Sequence, residues 1–290
     1  MSGGQWREER LHDGFAARYR IERVLAETTT PFQHVELVES ERFGKMLWLD
    51  NVVQCTEADE FVYHEMMVHV PLLAHPAPRR VLIIGGGDGG ALREVLRHPE
   101  VERAVMVEID RQVVDFCREH LPSLSRGAFD DPRVELVYDD GAKFVRETGE
   151  TFDVVIVDSS DPIGPAQVLF TRDFYADIAR CLSDNGILVR QTGSIFLQPE
   201  EQVQAMIRLG EVFLHNALYL FDVPTYVGGH FSAAFSSMRI DPTRADIDEL
   251  SKRMERLEGP TRYYSPALHQ AAFCLPEYLR RRLDKQEQDA

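Results

Sequence analysis

Val81-Leu82-Ile83-Ile84-Gly85-Gly86-Gly87-Asp88-Gly89-Gly90 decides how the rest of the chain is read. Four apolar residues run into six positions of which five are glycine. The apolar run reads as a buried parallel strand. The glycines permit a tight turn and let a ligand approach the backbone. A helix is expected to follow over 90–97, so strand, turn and helix start form a cradle of backbone N–H groups. Gly85, Gly87 and Gly90 fit G-x-G-x-x-G, which alone is a weak signal. Asp88 is out of place in a phosphate cradle. A carboxylate there repels phosphate and attracts a cation, which argues against a dinucleotide and for a positively charged adenosyl ligand.

Beyond residue 80 the pattern alternates. Strands are expected at 81–84, 104–109, 134–138, 153–158 and 186–191, with helices at 90–97, 111–120, 141–147 and 171–181 between them. Such alternation means βαβ units and a parallel sheet. A helix at about 200–213 precedes strands near 217–222 and 231–237. With no helix between them, these two strands predict a hairpin that closes the sheet antiparallel. The tail after Ile240 reads as helical.

Residues 1–55 lack helical periodicity. Short strands are expected at 20–25, 34–38 and 45–49, making a small antiparallel β unit. Such a unit needs a neighbouring domain or subunit to bury its apolar face. Thr56 is expected to cap a helix running to about Val70, ahead of Pro71. The chain thus divides into a β unit at 1–55 and an α/β domain at 56–290.

The 290 residues are 44% hydrophobic and 28% charged, as in ordinary globular proteins. The net charge of −16 disfavours nucleic acid and anionic membranes as partners and favours cationic small molecules. No C-x-x-C spacing joins Cys55, Cys117, Cys181 and Cys274, so reduced thiols in a cytoplasm are expected. No apolar stretch reaches transmembrane length.

Ligands of open α/β sheets bind at the carboxyl ends of the strands, and acids collect at those ends here. Glu108 lies 18 residues past Gly90, near the spacing of an acid that holds ribose hydroxyls. Asp140-Gly141 can face an adenine amino group or cap the helix at 141–147, and Asp139 competes for either task. Asp158-Ser159-Ser160-Asp161 follows a buried strand, and its two carboxylates, with Asp88 across the crevice, repel one another unless cations offset them. No dense set of oxygen ligands marks a metal site; an organic diamine fits instead.

Taken together, Gly85-Gly-Gly-Asp-Gly-Gly90, Glu108-Ile-Asp110, Asp140-Gly141, Asp158-Ser-Ser-Asp-Pro-Ile-Gly-Pro165 and Pro224-Thr-Tyr226 resemble the spermidine synthases, the polyamine aminopropyltransferases. Asp50-Asn-Val-Val-Gln-Cys-Thr-Glu57 and Asp59-Glu-Phe-Val-Tyr63-His-Glu65 match that family too. The resemblance spans roughly residues 20 to 237. It implies a methyltransferase-like Rossmann fold behind a small N-terminal antiparallel β domain, assembled as a homodimer or homotetramer. It implies transfer of an aminopropyl group from decarboxylated S-adenosylmethionine, a co-substrate, to putrescine, with no further cofactor and no metal. By the same resemblance Asp158 is the base. Tyr63, His64, Asp88, Ser159, Ser160, Asp161, Gln191 and Tyr226 serve the amine side. Gln33, Gly85, Gly87, Glu108, Asp140, Gly141 and Pro165 serve the nucleoside. The chain departs from the family's pattern at Phe235, where tryptophan is common, and at Thr192-Gly193-Ser194. A smaller residue at 235 suggests a roomier diamine pocket and leaves cadaverine or a longer amine open as acceptor.

Three other readings compete: an amine N-methyltransferase using ordinary S-adenosylmethionine, a nicotinamide dehydrogenase, and a polyamine-binding module without activity. Asp88 opposes the first, since it repels the carboxylate of the ordinary donor. The Asp158–Asp161 cluster is unexplained by the second. The intact set of candidate catalytic positions opposes the third.

Overall fold

The computed structural model describes residues 5–159 and 164–289. Strands β1 (Gln5–His12) and β2 (Phe15–Ile21) form a hairpin. β3 (Arg23–Thr29), β4 (His34–Ser40), β5 (Gly44–Leu49) and β6 (Val52–Thr56) form an antiparallel sheet in that order. Next come α1 (Glu60–Ala74), β7 (Arg80–Gly85), α2 (Gly90–Leu96), β8 (Arg103–Val107), α3 (Arg111–His120), the short α4 (Pro122–Ser125), β9 (Val134–Val137), α5 (Gly141–Glu147) and β10 (Phe152–Asp158). After the helical turn Gly164–Phe170 follow α6 (Arg172–Cys181), β11 (Leu182–Ser194), α7 (Pro199–Gly210), β12 (His215–Phe221), β13 (Phe231–Ser237) and the tail helices α8 (Ile247–Met254), α9 (Pro266–Ala272) and α10 (Glu277–Asp289).

The large sheet has the order β12-β13-β11-β10-β7-β8-β9. β7 pairs parallel with β8 and β10, and β13 lies antiparallel between β11 and β12. The expected closing hairpin is therefore present. From β7 the chain winds outward to β9, then returns to β10 on the other side of β7. The crevice between β7 and β10 is the topological switch point, where open α/β sheets bind ligands. Alternate residues of β7 serve opposite cores. Val81 and Ile83 pack under α1 and α2, while Leu82 and Ile84 pack toward α5 and α6.

The strands and helices of the α/β domain fall within a few residues of expectation. The N-terminal unit differs more. The hairpin β1–β2 was not expected; its turn passes through Gly14 at φ +75°. The strand expected at 20–25 is divided at Glu22, which bonds its N–H to the Glu39 carbonyl. The side chains of β1 are too polar to announce a strand, and its pairing with β2 holds it in place.

The first helix starts later than its sequence suggests. Thr56 stays in β6, paired with Met46, and Asp59 is the residue that precedes α1. The Thr56 hydroxyl donates to Asp59 Oδ1 at 2.6 Å. The helix then runs through Pro71, although an interior proline costs about 3 kcal/mol. Leu72 and Leu73 are buried beyond it, and Arg253 Nη1 donates to the carbonyls of Leu73, Ala74 and His75 at 2.9, 3.2 and 2.9 Å. Burial and this borrowed cap hold the last turn. Buried Glu65 accepts N–H bonds from Arg262, Tyr263 and Tyr264, each at 2.8 Å, which fastens the C-terminal segment to α1.

Candidate active site

Register places the key acid. Asp158, the last residue of β10, lies opposite Gly85, the last of β7. Gly85 has φ +87°, and a Cβ there would sit 2.1 Å from the Asp158 carbonyl oxygen. Only glycine fits this crossing. Gly86 then donates its N–H to that same oxygen at 2.9 Å. The turn brings Asp88 over the crevice, where its Oδ1 accepts the Gly90 N–H at 2.7 Å.

The crevice opens into a cavity of about 380 Å³. Its walls include Tyr63, His64, Gly85, Gly87, Asp88, Glu108, Asp140, Gly141, Asp158, Ser159, Gln191 and Tyr226, all expected from sequence, and Gln33 from the β unit. Ser160 and Asp161 lie outside the described residues. Pro165 falls in the Gly164–Phe170 turn.

The two acids of the crevice are held at different acidities. Burial, then the nearby Asp88 charge, raises Asp158 to about 6, against relief from His64 and from the Tyr63 hydroxyl, which donates to Asp158 Oδ1 at 2.8 Å. Burial also pushes Asp88 up. The His64 imidazolium and the Gly90 N–H more than offset this, so its carboxyl lies below the usual range. His64 sits between Glu60, with Nδ1 to Oε2 at 2.6 Å, and Asp88, with Nε2 to Oδ1 at 3.5 Å. Burial would lower this imidazole; the two carboxylates overcome it and raise it to about 10. His64 thus borders the cavity as a buried cation, with a carboxylate at each ring nitrogen.

At the end of β8, burial raises Glu108 to about 7, and its Oε1 accepts the Asp110 N–H at 2.9 Å. Asp140 Oδ1 caps α5 through the N–H groups of Ala142 and Lys143 at 2.8 and 3.3 Å, and the residue also lines the cavity. Asp139 is turned away and pairs with Lys143 at 2.8 Å. Gly141 lies against Ile84, where a Cβ would come within 2.4 Å.

On the β11 side of the cavity, Gln191 Nε2 donates to the Ser159 carbonyl at 3.3 Å. The Tyr226 hydroxyl donates to the Gln54 carbonyl at 2.8 Å, and its ring meets Tyr63 edge-on with centroids 5.7 Å apart. Phe231 joins these rings, 4.9 Å from Tyr226. Phe235 does not line the cavity. It is fully buried in the core beside Phe273, so the wider pocket expected from this position is not found.

The β unit is part of the site. Gln33 Nε2 and Thr30 Oγ1 donate to Asp110 Oδ2 at 3.2 and 2.6 Å, fixing the unit to the start of α3. On the other side the Tyr19 hydroxyl donates to the Thr225 carbonyl at 2.7 Å, and Thr225 N–H to Asp59 Oδ2 at 2.8 Å.

A family model described as the spermine/spermidine synthase domain matches residues 60–244, and one described as the spermidine synthase tetramerisation domain matches residues 5–57. The chain belongs to the spermine/spermidine synthase family. Among curated members it is 49% identical to polyamine aminopropyltransferase 1 of Pseudomonas aeruginosa over 97% of this chain and 99% of that one. It is 47% identical to the polyamine aminopropyltransferase of Shigella boydii over 97% and 98%. A crystal structure of spermidine synthase in complex with the transition-state analogue AdoDATO superposes with a TM-score of 0.92, at 35% identity, over 98% of both chains. The spermidine synthase of Thermotoga maritima gives 0.89, at 35% identity, over 98% and 96%. The methyltransferase-like Rossmann fold and the antiparallel N-terminal sheet are those of this synthase family.

Sequence reasoning missed several residues of this synthase site. Glu9, Leu11 and His12 reach the cavity from β1, and Gln54 from β6. Glu60 and Arg93 stand behind His64, with Arg93 Nη2 at 2.9 Å from Glu60 Oε2. Gln54 and Glu60 lie inside stretches already matched to the family, so motif membership could have raised them. Nothing in Gln5–His12 marks β1 as a cavity wall.

Proposed function

We propose that this chain transfers the aminopropyl group of decarboxylated S-adenosylmethionine to putrescine, giving spermidine and methylthioadenosine. The observation that carries the reading is the pair Asp88 and Asp158 on one cavity at the switch point, one kept ionised and the other raised to about 6. Asp88 holds the donor's ammonium and disfavours the ordinary donor through its carboxylate. Glu108 takes the ribose hydroxyls, and Asp140, Gly141 and Pro165 take the adenine. Gly85 and Gly87 let the nucleoside approach the turn, and Gln33 closes its outer side.

The acceptor must attack as a neutral amine. A primary alkylamine has a pKa of about 10.4, so neutrality at pH 7 costs about 4–5 kcal/mol. Asp158, with a basicity raised by burial, removes that proton, and Tyr63 holds the carboxylate's other lobe in place. Ser159, Ser160, Asp161 and Gln191 hold the diamine, with Tyr226 along its alkyl chain and His64 at the donor end. Attack at the carbon beside sulfur breaks the C–S bond and discharges the sulfonium to a neutral thioether. The leaving group therefore needs neither metal nor redox cofactor, and in-line positioning of the two substrates supplies most of the rate.

The reading takes 1–55 and 56–290 as two domains, working as a homodimer or homotetramer in the cytoplasm. Exposed Trp6 and Phe15 on the β1–β2 hairpin support assembly through that unit. Incubation with decarboxylated S-adenosylmethionine and a panel of diamines, with products identified by mass, tests the whole. Spermidine is expected from putrescine. A methylated amine formed from ordinary S-adenosylmethionine would favour the N-methyltransferase.

A further inference from the structure

We propose that Glu60 is a positioning residue for the donor's ammonium group: acting through His64, it fixes Asp88 so that one carboxylate oxygen is left for the ligand. The inference rests on the aminopropyltransferase reading and deepens it. Glu60 is 5% exposed and does not line the cavity. Its carboxylate is nevertheless tied into the site. Arg93 grips it with Nη2 to Oε2 at 2.9 Å and Nη1 to Oε1 at 3.2 Å, and Arg93 is itself held by Glu94 at 2.8 Å and the Leu124 carbonyl at 2.7 Å. Glu60 Oε2 then takes His64 Nδ1 at 2.6 Å.

Geometry fixes the state of the ring. With Nδ1–H given to Glu60, a neutral imidazole would aim the Nε2 lone pair at the Asp88 carboxylate. A cation instead offers Asp88 a second N–H. Gly90 locks the ring plane, since a Cβ on it would fall 2.2–2.5 Å from three ring atoms. Asp88 Oδ1 therefore carries the His64 and Gly90 N–H contacts, the Cys55 thiol is a further hydrogen-bond partner of the carboxylate, and ligand recognition falls to Oδ2. The charged and titratable groups around His64 are Glu60 and Tyr63 from α1, Asp88 from the turn, Arg93 from α2 behind Glu60, Asp158 from β10, and Cys55 from β6 beside Asp88.

Methylthioadenosine lacks the ammonium arm and separates this role from general integrity. Calorimetry of the full chain measures decarboxylated S-adenosylmethionine and methylthioadenosine binding for wild type and Glu60→Gln. Loss of one charge-assisted hydrogen bond predicts that the ratio of the two affinities shifts about tenfold or more against the donor. Methylthioadenosine affinity stays within about threefold, and donor KM rises while kcat at saturation holds within about threefold. An unchanged ratio overturns the proposal. Should the variant bind neither ligand, the wild type is read by ¹⁵N NMR: a His64 ring keeping both N–H protons to about pH 9 upholds it, and loss of one between about pH 6 and 7 overturns it. Failure of the functional reading looks different, as wild type that forms no aminopropylated product.

Discussion

At the scale of single residues, the proposed chemistry gives two neighbouring carboxyls opposite tasks. Asp88 is partnered by a cation and stays charged; Asp158 is buried against that charge and becomes the stronger base. Asp158→Asn keeps the shape and the Tyr63 contact but removes the base. Turnover should fall by about 10²–10⁴, the usual worth of a general base, with methylthioadenosine affinity unchanged in a direct titration. Equal turnover would remove Asp158 from the role assigned to it. The pH profile carries the same information with a definite sign. The base acts only when ionised, so the rate constant measured with donor and diamine both far below saturation, which reports the free enzyme, should drop tenfold per unit below about 6. Bound donor is cationic and favours the carboxylate. The corresponding limb in kcat should therefore move to lower pH. Coincident limbs would contradict the placement of the sulfonium beside Asp158.

At the scale of elements, the strand–turn–helix of residues 80–96 is where substitution is least tolerated, and its glycines differ in kind. Gly85→Ala meets both a positive φ and a backbone oxygen that cannot move aside. A loss above about 4 kcal/mol, read by urea unfolding, is expected. Gly90→Ala has an ordinary φ but strikes the His64 ring. It should cost about 1–3 kcal/mol and weaken donor binding far more than methylthioadenosine binding. Gly149→Ala, exposed with nothing within 4 Å, should stay within about 0.5 kcal/mol of wild type. This turn was also the most legible part of the sequence, because a buried strand, forced glycines and one misplaced acid each have a single physical reading. Legibility fell where side chains say little about pairing. Gln5–His12 carries arginine or glutamate at four consecutive positions, Arg7 to Arg10, so the strand that supplies Glu9 and His12 to the cavity left no alternation to read. The Thr56 cap failed for a related reason: capping chemistry is local, but β6 keeps Thr56 through its partner strand. Phe235 misled in another way. A departure from a family pattern suggests a changed pocket, whereas the strand's alternation turns that side chain into the core.

At the scale of the whole molecule, the cavity exists only where the β unit and the α/β domain meet, and its wall is anionic in a chain of net charge −16. Both proposed substrates are cations, and putrescine at neutral pH is a dication. A field of one sign raises the local concentration of such ligands and their rate of capture. The effect is screened as the Debye length shortens from about 10 Å at 0.1 M salt to about 3 Å at 1 M. Contacts inside the buried crevice are screened much less, because water and ions are excluded there. The two contributions therefore separate in kinetics. Raising sodium chloride from about 0.05 to 0.5 M should lower kcat/KM for putrescine several-fold while kcat at saturating diamine changes less than about twofold. Methylthioadenosine, which is uncharged, serves as the internal reference, and its affinity should barely move. If kcat fell in step with kcat/KM, salt would be acting on the Asp88–His64–Glu60 network itself. If neither changed, the surface charge would have no part in gathering the amine, and selection would rest on the buried carboxylates alone.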